Sequence, residues 1–359
     1  MVMTKRFVVS NFCFGLAIVA LGCGKVSQEE NSKPLVTDVD HSVVKRQSVG
    51  NCWLYAQASW VESLHLTATG NELDVSESYW TYWYWYEQIL KNANRGYLQE
   101  ELVTGGSWSA AQRLLRRYGV VLEGEFIPRE AEAEMSRTQA RAESLINQEL
   151  VTGQLASLED RTPDKIMAVL DQAFGVNMNE ARAMARSIDD FQVATGRDQQ
   201  EVASLRQVMG EWRNYSAGRV RKETLIRYVK RALNDGHPIV MTMWIDFRYL
   251  NTQTATFQDE IFNEDCDGTG GHLVVLEDYV VNHPELGFLG EGDMDDSIKE
   301  AALDGELLYF KSKNSWGTNR PDRGLTDGYT RFTKDYLWNT TREEIGYNYT
   351  SFVLPVGLY

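Results

Sequence analysis

Residues 47–56, QSVGNCWLYA, open the first strong helical pattern of this 359-residue chain. Cys52 stands at the start of that pattern, directly after Gly50 and Asn51, and large apolar residues then recur with the period of an α-helix. The N-terminus of a helix has a positive potential that favours a thiolate, so Cys52 is a candidate nucleophile. By itself, a cysteine in this position is more often a small buried residue.

The chain around this stretch predicts a helical N-terminal lobe. The pattern that begins beside Cys52 predicts a helix over residues 51–69, and Gly70 is a plausible stop. A second helix is expected over residues 77–93 with Ser76 as its N-cap, and a third over Trp108–Tyr118. Residues 129–230 are rich in charge and in good helix formers, and they predict a helical insertion with solvated faces.

Beyond residue 235 the pattern changes to strands. Short apolar runs predict them at the following positions: 239–245, 272–281, 307–311, 330–333 and 349–356. The chain is therefore expected to be an α+β protein, with a helical N-terminal lobe and a β-rich C-terminal lobe that enclose a cleft.

Residues 1–23 have the composition of a bacterial signal peptide. Lys5 and Arg6 form a positive region, and residues 7–21 are mainly apolar but short for a membrane span. The segment ends in Ala-Leu-Gly-Cys, which resembles a lipobox and makes Cys23 a candidate lipidation site; the alternative is an ordinary signal peptide with an incidental cysteine. We expect export to the bacterial cell envelope, membrane attachment through lipid, a tether over residues 24–40 and a folded domain over 41–359.

Charge and cysteine content exclude other classes of protein. The chain has 51 acidic and 36 basic residues, a formal charge of −15, which is the wrong sign for binding nucleic acid. Cys13 and Cys23 belong to the signal segment, which leaves Cys52 and Cys266 in the folded part. Two cysteines form no disulfide framework, and we expect both to be free thiols.

Two further residues complete a chemical pattern with Cys52. His272 follows two glycines at the start of a predicted strand, and Asn314 opens an Asn-Ser-Trp-Gly turn after another strand. Each signal is weak alone. Together, in the order Cys, His, Asn, they supply a nucleophile, a proton acceptor and an amide that fixes the imidazole tautomer.

With these residues in view, the chain resembles the papain-like cysteine peptidases. The motifs are Gly-Asn-Cys-Trp at residues 50–53, His272 followed by Tyr279, Asn-Ser-Trp-Gly at 314–317, and Gly-Tyr at 328–329. Within the family, the bleomycin hydrolase and aminopeptidase C branch is the most similar. That similarity rests on residues 48–53, 73–79 and 105–108, on Arg-Tyr-Gly-Val-Val at 117–121, and on the long insertion between Cys52 and His272.

The resemblance implies a two-lobe papain-like fold and a mechanism. Cys52 would attack the carbonyl of a peptide or protein substrate, His272 would act as base and then as acid, and Asn314 would orient His272. Trp53 and Trp316 would support the site, with Trp316 shielding the His–Asn contact from water. The family needs no metal and no organic cofactor.

Two positions depart from the family pattern. The oxyanion glutamine normally lies six residues before the cysteine, where this chain has Arg46, so Gln47 serves only if one residue is lost from the turn. Residues 319–324 also lack the second tryptophan that papain-like chains often have, which is expected to loosen the cleft wall. If no residue is lost from the turn, the oxyanion site relies on the backbone N–H of Cys52 and another donor, so Gln47 is one of two candidate donors.

Three alternatives stay open at the level of sequence. One is a catalytically weak binding or adhesion lipoprotein that keeps the fold, and another is a different thiol acyl-transfer enzyme such as an amidase or a transglutaminase. A calcium site is the third, because two acidic clusters have oxygen-rich side chains: Asp259, Glu260, Glu264, Asp265 and Asp267, and Asp293, Asp295 and Asp296. Their spacing is not that of a calcium loop, so we expect no metal. The oligomeric state cannot be derived from the sequence.

Overall fold

Three N-terminal helices form at the predicted positions: α1 (Cys52–Thr69), α2 (Glu77–Asn94) and α3 (Trp108–Tyr118). Ser76 caps α2, because its side chain accepts a hydrogen bond from a backbone N–H in the first turn. Gly70 ends α1 in the left-handed conformation, with φ of 69°. Ser76 as the N-cap of α2 and Gly70 as the stop of α1 are thus confirmed.

The computed structural model describes residues 39–216, 219–266, 268–292, 296–340 and 350–357. These belong to one compact unit, Lys33–Tyr359. The predicted signal segment, the lipidation site Cys23 and nearly all of the tether lie outside the described residues. Within the described part of the chain, no helix is long and apolar enough to cross a membrane.

The region between α3 and the sheet contains further helices: α4 (Glu123–Phe126), α5 (Arg137–Val151), α6 (Pro163–Phe174), α7 (Met178–Met184), α8 (Leu205–Glu211) and α9 (Lys222–Asn234). A short helix, α10 (Asp296–Ala302), follows later. Four of these, α5 to α8, lie within the predicted insertion and α9 begins in it, and α5 packs against α6. The insertion is therefore mainly helical.

Residues 129–230 are nevertheless not wholly helical, which corrects the prediction for that stretch. They include the strands β1 (Gln192–Thr195), β2 (Glu201–Ser204) and β3 (Trp212–Ser216). β1 pairs with β2 as a hairpin that packs on α1, and β3 joins the edge of the main sheet. Strands this short and partly polar have no strong alternating pattern, so only their tertiary partners stabilise them.

The main sheet contains the following later strands: β4 (Ile239–Asp246), β5 (Leu250–Asn251), β6 (Thr256–Phe257), β7 (Thr269–His283), β8 (Gly287–Leu289), β9 (Glu306–Lys313), β10 (Tyr329–Thr333) and β11 (Ser351–Pro355). Its order in the described residues is β3-β11-β4-β7-β9-β10-β6-β5, and β8 pairs with β7. Only β10 and β6 pair in parallel there. Each strand expected after residue 235 is confirmed, within a few residues at its ends.

Helix α1 joins the helical part to the sheet because one of its faces packs on β7 and β4. On another face, the Trp60 ring makes edge contacts with Trp108 of α3 and Trp212 of β3, at centroid distances of 5.3 and 5.2 Å. All three side chains are buried. Burying large aromatic surfaces on three elements fixes the position of α1, and with it that of its first residue, Cys52.

Candidate active site

Cys52 is the first residue of α1 and is almost fully buried. The preceding residue, Asn51, makes no side-chain cap; its amide nitrogen donates instead to Thr81 Oγ1 (2.9 Å) and Gln139 Oε1 (2.8 Å). No side-chain cap therefore occupies the N–H groups at the start of α1, and those of Cys52 and Trp53 lie close to the Cys52 sulfur. The backbone N–H of Leu273 also lies within hydrogen-bonding reach of the Cys52 sulfur.

His272 lies inside β7, opposite Met243 of β4, rather than at the strand's first residue. Because Leu273 follows it directly, the contact of Leu273 with the sulfur places His272 beside Cys52 in the fold. The Nε2 atom of His272 is 2.9 Å from Asn314 Oδ1. The structure thus brings together the three residues that the sequence singles out.

The hydrogen bonds around Asn314 determine the orientation of its amide. Asn314 Nδ2 donates to Thr330 Oγ1 at 3.0 Å, and Oδ1 accepts the Ser315 N–H at 2.8 Å. Since Oδ1 can only accept, the His272 nitrogen that faces it, Nε2, must carry the proton. The unprotonated nitrogen of neutral His272 is then Nδ1, the atom left to take a proton from a thiol.

Two tryptophans hold the triad in place. The Trp316 ring stacks on the His272 ring at 5.0 Å and excludes water from the His272–Asn314 hydrogen bond. Trp53 is buried next to Cys52, and its Nε1 donates to the Thr104 carbonyl at 3.0 Å. A side chain at Gly106 would lie 2.3 Å from the Trp53 ring, which explains glycine at that position.

Burial opposes charge on both reacting groups. It raises the pKa of Cys52 to about 11, although the backbone N–H groups around the sulfur act in the opposite direction. It also lowers the pKa of His272 to about 4, against the effect of the Asn314 hydrogen bond. Each group is therefore neutral at pH 7 when considered separately, and proton transfer from thiol to imidazole accompanies attack on a substrate.

Gln47 lies beside the triad but is already hydrogen-bonded. Its backbone N–H donates to the Ser315 carbonyl (2.9 Å), its Oε1 accepts from Ser315 Oγ (2.5 Å), and its Nε2 donates to the Val49 carbonyl (2.8 Å). One Nε2 hydrogen remains for an oxyanion. These contacts place the Gln47 amide next to the Asn314 turn, consistent with a role near the reacting carbonyl.

A charge cluster around Lys45 lies near the site, and its members are largely buried except Asp74. Lys45 Nζ is 2.6 Å from Asp74, 3.1 Å from Glu77 and 3.2 Å from Glu123, and it also reaches Glu62 at 3.8 Å. Burial opposes the charge of Lys45, but these carboxylates raise its pKa well above the ordinary value. Burial also raises the pKa of Glu77 to about 7, although Lys45 acts in the opposite direction.

Sequence reasoning missed two residues that contact the site. Thr330 anchors Asn314, and its only sequence signal is its place two residues after Gly328. Arg323 lies in the loop that lacks the second tryptophan, and its guanidinium covers the Trp316 ring at 4.5 Å. A lone arginine in a polar loop has no pattern that distinguishes it from a solvated side chain.

The described members of the two acidic clusters do not form a metal site. In the part of the chain that the structure describes, no group of three His, Cys, Asp or Glu side chains could hold a metal ion; Asp267, Asp293 and Asp295 are outside that part. Cys52 and Cys266 are both free thiols, as expected. The Cys266 sulfur accepts a hydrogen bond from Asn263 Nδ2 at 3.2 Å.

Neither a protein-family model nor a curated protein matches the sequence. Among solved structures, the chain is similar to PepW from Lactobacillus rhamnosis HN001, with 13% identity and a TM-score of 0.51, over 90% of this chain and 82% of that chain. It is also similar to xylellain, a cysteine protease from Xylella fastidiosa, with 17% identity and a TM-score of 0.43, over 90% and 86%. The PepW comparison supports the fold, and the predicted α+β class with papain-like architecture is confirmed.

Proposed function

We propose that this protein is a cysteine peptidase that hydrolyses peptide bonds. The observation that carries the proposal is the hydrogen bond between His272 Nε2 and Asn314 Oδ1, which leaves Nδ1 as the base, with the Cys52 sulfur next to the adjoining Leu273 N–H. Nucleophile, base and orienting amide thus occupy one buried site at a helix N-terminus, which is the arrangement that acyl transfer by a thiol requires.

In the proposed reaction, Cys52 attacks the scissile carbonyl as His272 Nδ1 takes the thiol proton. The resulting oxyanion is stabilised by the Cys52 backbone N–H and by the Gln47 amide. The C–N bond breaks as His272 returns the proton to the leaving amine, and a thioester remains on Cys52. Water, deprotonated by His272, then attacks the thioester and releases the acid product and the free thiol.

The proposal extends to location and branch. The signal-like residues 1–23 with Cys23 support export to the bacterial cell envelope with a lipid anchor, which detergent-phase partitioning of the full chain would test. Motifs such as residues 48–53 support the bleomycin hydrolase and aminopeptidase C branch. Analysis of cleavage products would distinguish removal of terminal residues from internal cleavage. We assign peptides and proteins, not nucleic acid, as the substrates.

A binding lipoprotein with weak catalysis is the second candidate. One observation favours it: Cys52 is buried, and burial raises the pKa of its thiol to about 11, so few thiolates exist at neutral pH without a substrate. In that case Cys52, His272 and Asn314 would have only a structural role, and peptides would bind without being cleaved.

One experiment separates the two candidates. The folded domain is incubated with an epoxysuccinyl reagent and with a mixed peptide library, beside a Cys52→Ala variant and a Cys266→Ala control. A peptidase should lose all library cleavage in Cys52→Ala and retain it in Cys266→Ala, with covalent label on Cys52. If the unaltered domain binds peptides but cuts none, the peptidase assignment is wrong.

A further inference from the structure

Arg323 occupies a position beside the triad that none of the catalytic roles uses. It ends the short 3-10 helix Pro321–Arg323, and Gly324 closes that turn with φ of 73°. A side chain at Gly324 would come within 2.5 Å of the Thr252 carbonyl, so the turn is packed closely against its neighbour. The backbone therefore holds Arg323 at a defined place in an otherwise polar loop.

The Arg323 guanidinium lies against two aromatic rings that contact each other, Phe247 and Trp316, whose centroids are 5.4 Å apart. Its central carbon is 4.4 Å from the centroid of Phe247 and 4.5 Å from that of Trp316. Cation–π contact of this kind suits the weakly hydrated guanidinium and restricts its movement. The side chain remains 25% exposed, so it is not sealed inside the protein.

No acceptor in the described part of the chain bonds to the terminal donors of Arg323. Among the described residues, the terminal nitrogens of Arg323 donate no hydrogen bond, and the nearest carboxylate contact is Nε to Asp322 at 3.9 Å. Asp322 already accepts two hydrogen bonds from Arg320, at 2.9 and 2.6 Å. Burial and the neighbouring Arg320 lower the pKa of Arg323 to about 10, which still leaves it protonated at pH 7.

The chemistry of the proposed reaction indicates which part of a bound substrate lies next to Arg323. His272 must give its proton to the leaving amine, so the residues that follow the scissile bond lie on the His272 side of Cys52. Trp316 stacks on His272 and also on Arg323, and the Arg323 charge is near enough to lower the pKa of His272. Arg323 therefore faces the leaving-group half of the substrate.

We infer that Arg323 is a specificity-determining residue that binds a carboxylate within the first two residues after the scissile bond. The carboxylate is either an acidic side chain or the free C-terminus of a short peptide. A planar guanidinium with open donors matches a carboxylate in a two-point hydrogen bond. This inference rests on the proposed function, since it concerns the substrate of the same site.

The test uses two sets of quenched fluorescent peptides with one cleavage site. One set has Glu or Gln after the scissile bond, and the other ends two residues after it in a carboxylate or an amide. The unaltered domain is compared with Arg323→Met, which keeps apolar contact with Trp316, and with Arg323→Lys, which keeps charge without the fork. Arg206→Met, a surface arginine paired with Asp189, is the matched control.

The unaltered domain should prefer the carboxylate in at least one set by about tenfold in kcat/KM. Arg323→Met should abolish that preference while cleaving the neutral peptides almost as well, Arg323→Lys should keep part of it, and Arg206→Met all of it. The set that shows the preference identifies the source of the carboxylate. Equal cleavage of charged and neutral peptides, or a preference that survives in Arg323→Met, would overturn the inference.

The same peptides also give a result without turnover. Their affinity for Cys52→Ala and for Cys52→Ala/Arg323→Met is measured by fluorescence anisotropy, which requires no cleavage. A carboxylate preference that disappears with Arg323 supports the inference even if no peptide is cut, in which case only the peptidase proposal fails. If cleavage occurs but both sets of measurements show no charge preference, the peptidase proposal stands and the inference fails.

Discussion

His272 and Lys45 are both largely buried polar side chains, but His272 is kept neutral and Lys45 is kept charged. His272 has one side-chain hydrogen-bond partner and is kept neutral, with its pKa lowered to about 4 by burial. Lys45 has four carboxylates within 3.8 Å and stays charged. A cavity of about 10 Å³, lined by both Lys45 and Asn314, lies between them and has room for about one water.

This difference in charge indicates that the Lys45 cluster serves stability and the His272–Asn314 pair serves catalysis. Lys45 directly precedes the turn that leads to Cys52. Its partners lie on α1 (Glu62), just before α2 (Asp74), on α2 itself (Glu77) and on α4 (Glu123). Its charge pairs therefore join four segments, and removing one partner leaves the others buried without compensation. The neutral pair leaves a nitrogen free for chemistry. Substitutions in the cluster should cost stability, and those in the pair should cost activity.

The largest effect is expected for His272→Ala. Loss of the base should lower kcat/KM on peptides by about 1,000-fold. The variant should remain folded because Asn314 Oδ1 keeps the Ser315 N–H, although the lost ring contact with Trp316 lowers its denaturant midpoint somewhat. Steady-state cleavage and urea unfolding measure the two quantities. His283→Ala, at the other end of β7, is the matched control and should retain activity; equal activity in both variants would contradict the proposed base.

Lys45→Met should destabilise the domain by about 3 kcal/mol, because it leaves Glu77 and Glu123 buried without their cation. The folded pKa of Glu77 is already raised to about 7, and without Lys45 it rises further. A carboxyl group whose pKa is raised in the folded state contributes stability that is fully present below its pKa in the unfolded state. This stability is lost as the pH rises through the folded pKa. The deficit should therefore be larger at pH 8 than at pH 5.

Urea unfolding at the two pH values checks this prediction. Lys165→Met is the control, since Lys165 pairs with Asp160 at the surface and its loss should leave the midpoint unchanged. A deficit of the same size at both pH values would show that Glu77 does not titrate in the folded state. If Lys45→Met is as stable as the unaltered domain at both pH values, the proposed difference between the Lys45 cluster and the His272–Asn314 pair is wrong.

The smallest effect is expected for Asn314→Ala, with about tenfold lower kcat/KM, because His272 then samples unproductive orientations. The pH profile gives a sharper readout. Burial lowers the pKa of His272 to about 4, so the acidic limb of kcat/KM should lie near pH 4 in the unaltered domain. The Asn314 hydrogen bond raises that pKa, so the limb should move to lower pH in Asn314→Ala. A limb near the ordinary histidine pKa would contradict the role of burial.

Much of the local structure is predictable from the sequence. The caps at Ser76 and Gly70 and the apolar runs of β4 and β9 depend on neighbours a few residues away, so short-range patterns reveal them. β3 is different, because Arg213 and Asn214 are polar and the strand forms only against β11. Its stabilising partners lie more than 130 residues further along the chain, where local patterns carry no information.

The sequence by itself determined which residues belong together: the order Cys52, His272 and Asn314 survives any error in helix or strand limits. Only the tertiary structure decided what those residues can do. The tautomer of His272 follows from Asn314 Oδ1, the neutral state follows from burial, and the guanidinium on Trp316 follows from the path of the loop that holds Arg323. These properties depend on distance, orientation and access to water, and contacts between residues far apart in the chain set all three.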